Sequence, residues 1–247
     1  MPLHPAAQQM IRKVEELSGR PVHVAEDLDL KVMATVTTAR GIAPAHFLRY
    51  RPGVGALDYL IVYQLGYVER LFSCPVTDRW DVVSNAAEHE AGIRLLGLDG
   101  YSRDFAVSMV GQLVVQLRSC SVGARVDDWI WNRHPELREQ QETSIRKQLD
   151  ENGRALAPEI RERFPKALVD ANSVMNAAFA IRWGGLLKDN RFQIPYQALG
   201  YEARALELLR ALDELPDDPA ADRAMISQWA ECLGLYGIFH FEPHILI

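Results

Sequence analysis

The sequence predicts a mainly α-helical protein of the α+β class, with a small N-terminal sheet followed by a helical bundle. Three observations lead there. Strand-like runs rich in β-branched and aromatic residues are confined to residues 30–52, apolar residues recur at helical spacing from Asp78 onward, and proline or glycine punctuates that second part. At 247 residues, 48% hydrophobic and 24% charged, the chain can bury a full core in one large domain or two smaller ones.

Residues 5–18 set Ala6, Met10, Val14 and Leu17 at helical spacing, and Ser18-Gly19-Arg20-Pro21 supplies the stop. Lys31–Thr38 and His46–Arg51, separated by Gly41 and Pro44, then read as two strands. Pro52-Gly53 turns the chain into a long apolar helix at 56–72, which Cys74-Pro75 closes. Asp78 is expected to cap a helix through Trp80, Val83, Ala87 and Leu96, ended by Gly97 and Gly100. A further helix over 102–120 is apolar on more than one side and is expected to be buried. After Gly123 charge rises through Arg125–Arg163, in the alternating-sign pattern of a solvated helix face. Helices over 166–188, 197–214 and 219–236 complete the chain, punctuated by Pro165, Pro195, Pro216 and Pro219. No repeat or low-complexity tract interrupts this order. A weak division near residue 100 separates 1–100 from 101–247, which are expected to pack together.

Net charge −6 and a pI near 5.7 argue against a general nucleic-acid binder, which would carry a basic excess. Cys74, Cys120 and Cys232 are odd in number and lack a C-x-x-C pair, which suits reduced thiols better than a disulfide framework or a cysteine zinc site. Met-Pro-Leu-His-Pro has neither the basic region nor the apolar run of a signal peptide, and no stretch reaches roughly 18 uninterrupted apolar residues. A cytoplasmic, membrane-free protein is expected.

The most informative stretch is 56–72, Ala-Leu-Asp-Tyr-Leu-Ile-Val-Tyr-Gln-Leu-Gly-Tyr-Val-Glu-Arg-Leu-Phe. In H-E-x-x-H, two histidines one turn apart bind Zn²⁺ and the glutamate between them activates a water. Those places hold Tyr63, Gln64 and Tyr67 here. Neutral tyrosine is a poor zinc ligand, and a glutamine amide cannot exchange a proton near neutral pH.

The order helix, two strands, then a helix bearing Tyr63-Gln64-Leu65-Gly66-Tyr67 resembles the N-terminal part of ImmA/IrrE-like metallopeptidases, small bacterial zincins whose central helix reads His-Glu-Leu-Gly-His or similar. Leu65-Gly66, the apolar residues before it and Val68 after it carry the match over residues 1–100. The resemblance implies a zincin-like helix in which Tyr63 and Tyr67 take the histidine-ligand positions and Gln64 that of the general base. It also implies a third ligand on a later helix, where Glu88 or Glu90 of Ala-Ala-Glu-His-Glu-Ala-Gly could serve, so that Tyr59, Glu88 and Glu90 are candidates to line a binding cleft. All three diagnostic residues depart from the family, which puts peptidase activity in doubt. The plainer reading is a buried helix with Tyr59, Tyr63 and Tyr67 stacked at i, i+4 spacing.

Other chemistry is sparse. Glu88-His89-Glu90 point about 100° apart on a helix and read as an exposed acidic turn. His240 and His244 have i, i+4 spacing, but Pro243 disfavours a helix there. His4, His23, His46 and His134 are scattered and read as surface or core residues. No nucleophile elbow, Walker loop or dinucleotide fingerprint occurs, and Gly53-Val-Gly55 reads as a turn. Arg49, Tyr50 and Arg51 suit an exposed strand face, or contact with a phosphate or base. Trp129, Trp131, Trp183 and Trp229 fall in the helical half and read first as core fillers, with a partner-docking edge at Asp127-Asp128 beside Trp129 and Trp131 as the alternative. Asn172 and Asn176 share a face of an apolar helix and could line a polar pocket or fix helix register.

The expected function is that of a non-catalytic, zincin-like pseudoenzyme that binds a protein partner as a regulatory subunit in a bacterial cytoplasm, without metal or cofactor. The alternatives are a hydrolase built on Glu88, Glu90 or a histidine assembled by the fold, and a nucleic-acid-associated subunit.

Overall fold

The computed structural model describes residues 2–247; Met1 lies outside the described residues. The protein is mainly helical (65%), with a small N-terminal three-stranded mixed sheet followed by helices. Helix α1 (Pro5–Ser18) starts on His4, whose side chain accepts the Ala6 N–H, and stops at Gly19 in the left-handed conformation. Strands β1 (Val22–Glu26), β2 (Ala34–Thr37) and β3 (His46–Tyr50) form the sheet in the order β1-β3-β2. β1 runs parallel to β3, pairing Val22 with His46, and β2 runs antiparallel to it, pairing Ala34 with Tyr50. β1 lies outside the expected 30–52 range. Its signal is the alternation Val22, Val24 against His23, Ala25, five residues long and easily lost between Pro21 and two acidic residues.

Helix α2 (Leu57–Ser73) follows, then a 3-10 turn (Val76–Asp78) and β4 (Trp80–Val83). The helix expected to begin at Asp78 is therefore corrected. Trp-Asp-Val-Val favours a strand, and β4 pairs with β5 (His240–Pro243), a partner 160 residues away that local pattern cannot reveal. Helix α3 (Ala86–Leu96) starts instead on Asn85, with a full capping box to Glu88. Helix α4 (Arg103–Arg133) runs straight through Gly123, well past the expected end at 120. A glycine inside a helix costs about 1 kcal/mol, and buried Val122, Ala124, Val126 and Ile130 on both sides outweigh it. Helices α5 (Arg138–Arg154), α6 (Pro158–Arg163) and α7 (Lys166–Leu187) come next. The expected 197–214 helix is two, α8 (Ile194–Ala198) and α9 (Glu202–Glu214), parted at Gly200 with φ +80°. Helix α10 (Asp222–Leu233) ends at left-handed Gly234.

The chain forms two compact units, each assembled from separated stretches. The first takes the chain up to Asp81, then Arg125–Ser144 and Pro243–Ile247; the second takes Val82–Ala124 and Ile145–Glu242. Residue 100 thus falls inside the second unit. The first core joins Ala7 and Val14 of α1, Leu48 of β3, Ile61, Val62 and Leu65 of α2, and Val126 and Ile130 of α4. Gly66 permits the approach of α4 to α2, because a Cβ there would stand 2.5 Å from Val126 Cγ1. In the second unit Val110, Leu117, Met175, Trp183, Leu208 and Trp229 are buried. Among the described residues α4 alone is long and apolar enough to cross a membrane; the core helix of a soluble protein passes the same test, and α4 buries Ser121, Arg125 and Asp127.

Candidate functional site

Tyr59, Tyr63 and Tyr67 lie one turn apart on α2, and their rings form a ladder. Ring centroids are 5.8 Å apart between Tyr59 and Tyr63, and 5.3 Å apart, edge to face, between Tyr63 and Tyr67. The two hydroxyls at the histidine-like positions bond each other, Tyr63 Oη to Tyr67 Oη, at 2.7 Å. The Tyr59 hydroxyl donates to Asp127 Oδ1 at 2.8 Å. Gln64, at the base-like position, donates its amide N–H to the Ala34 carbonyl on β2 at 3.1 Å.

Asp127 is the acidic group of this site. It reaches α2 from α4 and is only 2% exposed. Fully buried Gln141 of α5 donates to both its carbonyl (2.9 Å) and its carboxylate (3.0 Å). Nearby, Gln140 accepts the Tyr59 N–H at 3.2 Å and donates to Asp58 at 3.1 Å, which ties the start of α2 to α5. The sequence offered Asp127 only as part of an alternative docking edge. Once α4 is carried through Gly123, Asp127 falls three residues before buried Ile130, which was the signal available.

The electrostatics keep these phenols neutral. Burial, and then the Asp127 carboxylate, hold the Tyr59 hydroxyl well above its ordinary range; burial, and then Tyr67, do the same for Tyr63. Phenolate is the form of tyrosine that would bind a metal, and this environment suppresses it. Among the described residues no three His, Cys, Asp or Glu side chains converge on a metal position. The donor set of phenols, amides and one carboxylate does not fit Zn²⁺, which takes thiolate, imidazole and carboxylate ligands. What the arrangement offers is hydrogen bonding and a rigid aromatic surface.

The remaining candidates have other partners. Glu88 closes the α3 capping box and lies 2.8 Å from His240 Nδ1, while Glu90 accepts from Arg103 at 2.7 Å; both belong to the second unit. Asn176 is buried and accepts from Gln116 at 3.1 Å, whereas Asn172, one turn earlier, is half-buried. Arg49 pairs with Asp27 at 3.2 Å on the open face of the sheet. His46, read as a surface or core residue, and His244, whose i, i+4 pairing with His240 was disfavoured, are both buried and bonded on both ring nitrogens.

No protein-family model, no curated protein and no solved structure matches this chain.

Proposed function

We propose that this chain is a non-catalytic, zincin-like module that binds a protein partner, acting as a regulatory subunit in a bacterial cytoplasm. One observation carries the reading. The polar atoms at the three positions a zincin needs for chemistry are spent on the fold itself: Tyr63 on Tyr67, and Gln64 on the carbonyl of Ala34. A general base must be free to take a proton from water, and a metal ligand must offer a lone pair to the ion. The reading rests on the resemblance of Tyr63-Gln64-Leu65-Gly66-Tyr67 to the central helix of ImmA/IrrE-like proteins, although three strands rather than two separate α1 from α2. Tyr63 and Gln64 are only partly buried, and an aromatic ring with a side-chain amide suits recognition.

A photo-crosslinking phenylalanine analogue placed at Gln64 tests this in the native host. The expected result is a discrete protein adduct from position 64 and none from a control at exposed Glu159. Stoichiometric zinc in the purified protein, with peptide hydrolysis that Tyr63→Phe abolishes, would overturn it.

A second reading, a hydrolase, is favoured only by the Glu88–His240 pair, in which a carboxylate orients an imidazole. Hydrolysis lost in His240→Ala and kept in Tyr63→Phe would select it.

A further inference from the structure

The last stretch of chain, Pro243–Ile247, is fastened to the first unit by a chain of polar groups centred on Ala39. His244 N donates to the Arg79 carbonyl at 2.9 Å, Gly41 N to Ile245 O at 2.7 Å, and Ile247 N to Gly41 O at 3.0 Å. The Arg20 guanidinium donates to Ile247 O at 2.5 Å. Inside these backbone bonds sit two buried imidazoles. His244 places Nδ1 2.8 Å from Asp81 Oδ2 and Nε2 2.9 Å from the Ala39 carbonyl. His46 accepts the Ala39 N–H on Nδ1 at 3.0 Å and has Nε2 2.9 Å from Ser18 Oγ. The Phe72 ring stands edge to face with both, 5.5 Å from each.

The two histidines meet different partners. His46 meets a backbone donor at Nδ1, so it must be neutral there, with its proton on Nε2 directed at Ser18, whose hydroxyl in turn donates to Val14 O at 2.7 Å. His244 faces the Asp81 carboxylate with one ring nitrogen and the Ala39 carbonyl with the other. Burial above all, then the neighbouring His244 and Arg20, hold the His46 imidazole down at about 4, against a smaller opposing pull from Glu15. Around His244 stand Asp81, the Arg40 guanidinium 3.6 Å from Asp81, and the Arg79 guanidinium over the Phe72 ring at 4.8 Å.

We propose that Pro243–Ile247 is an acid-released strap, with the His46–Ala39–His244 clasp as its trigger. A proton added to His46 turns the acceptor facing Ala39 N–H into a second donor and sets a cation beside His244 and Arg20. Ala39 must then move, and its carbonyl is what holds His244. The strap and residues 38–45 separate from the unit while the α2 core remains folded.

Amide hydrogen exchange by NMR, corrected for intrinsic rates, tests this between pH 6.5 and pH 4. Gly41 and Ile247 should lose protection by at least about tenfold, the equivalent of one pKa unit, while Leu65 and Val68 of α2 keep theirs. His46→Gln offers Ala39 an oxygen and Ser18 an N–H without titrating, and it should keep the strap protected down to pH 4. Ring ¹⁵N shifts of the unmodified protein give a check that needs no variant: His46 should hold its proton on Nε2 at pH 6.5. Unchanged protection of Gly41 and Ile247, their loss together with α2, equal loss in a folded His46→Gln protein, or a His46 proton on Nδ1 would each overturn the proposal.

Discussion

Removing the Asp127 carboxylate would strand the buried Tyr59 hydroxyl and leave the Gln141 amide with only its bond to the Asp127 carbonyl. An unsatisfied buried group costs about 1–3 kcal/mol and a lost hydrogen bond about 0.5–1.5, so Asp127→Ala should lose roughly 1.5–4.5 kcal/mol in urea unfolding. Asp127→Asn keeps an acceptor oxygen and should lose markedly less; equal losses would mean that packing, not hydrogen bonding, holds Asp127. His46 gives a pH signature at the same scale. Its folded value of about 4 lies below the ordinary 6.5, so the unfolded chain binds the proton first as pH falls. The stability that neutral His46 contributes is complete above pH 6.5 and is lost on descending to about pH 4; His46→Gln should flatten the unfolding free energy over that window. The Tyr59, Tyr63, Tyr67 ladder was legible in the sequence because 3.6-residue periodicity alone places them on one face. Asp127 and the two buried histidines were not. Their meaning depends on partners 68, 28 and 163 residues away.

At the scale of elements, local signals worked where the chain closes its own hydrogen bonds. α1, α2 and α7 begin and end within a residue or two of expectation, since glycine and proline stops act on their immediate neighbours. β4 and β5 escaped because each is a strand only in the presence of the other. The Asn85 cap of α3 was hidden by this same error, and its weight can be measured: Asn85→Ala should cost about 1 kcal/mol. A closer element contact gives a sharper test. Gly66→Ala sets a methyl 2.5 Å from Val126 Cγ1, and such overpacking costs about 1–3 kcal/mol. Adding Val126→Ala in the same chain should recover part of that loss in a double-mutant cycle; strict additivity would show that α2 and α4 do not meet there as described.

For the molecule as a whole, the question is whether the tyrosine face of α2 can be made to hold a metal. Tyr63→His, Gln64→Glu and Tyr67→His together supply two imidazoles and a base, and Asp127 is the carboxylate already directed at that helix face. Calorimetric titration should find zinc affinity in the triple variant that weakens by about 10–100-fold when Asp127→Asn is added and is indifferent to Glu88→Gln. No binding in a variant still folded by circular dichroism would leave the plain buried helix as the better account of α2.

The first unit also has an order of assembly written into it. Its core needs Val126 and Ile130, and its stretches extend to Ser144 before the last five residues arrive. A ribosome adding 5–20 residues per second completes α2 at Ser73 and then takes roughly 4–15 s to deliver Ser144. Throughout that interval the core that α2 shares with Val126 and Ile130 is incomplete, so nascent chains stalled between these points should be sticky, chaperone-bound and sensitive to protease.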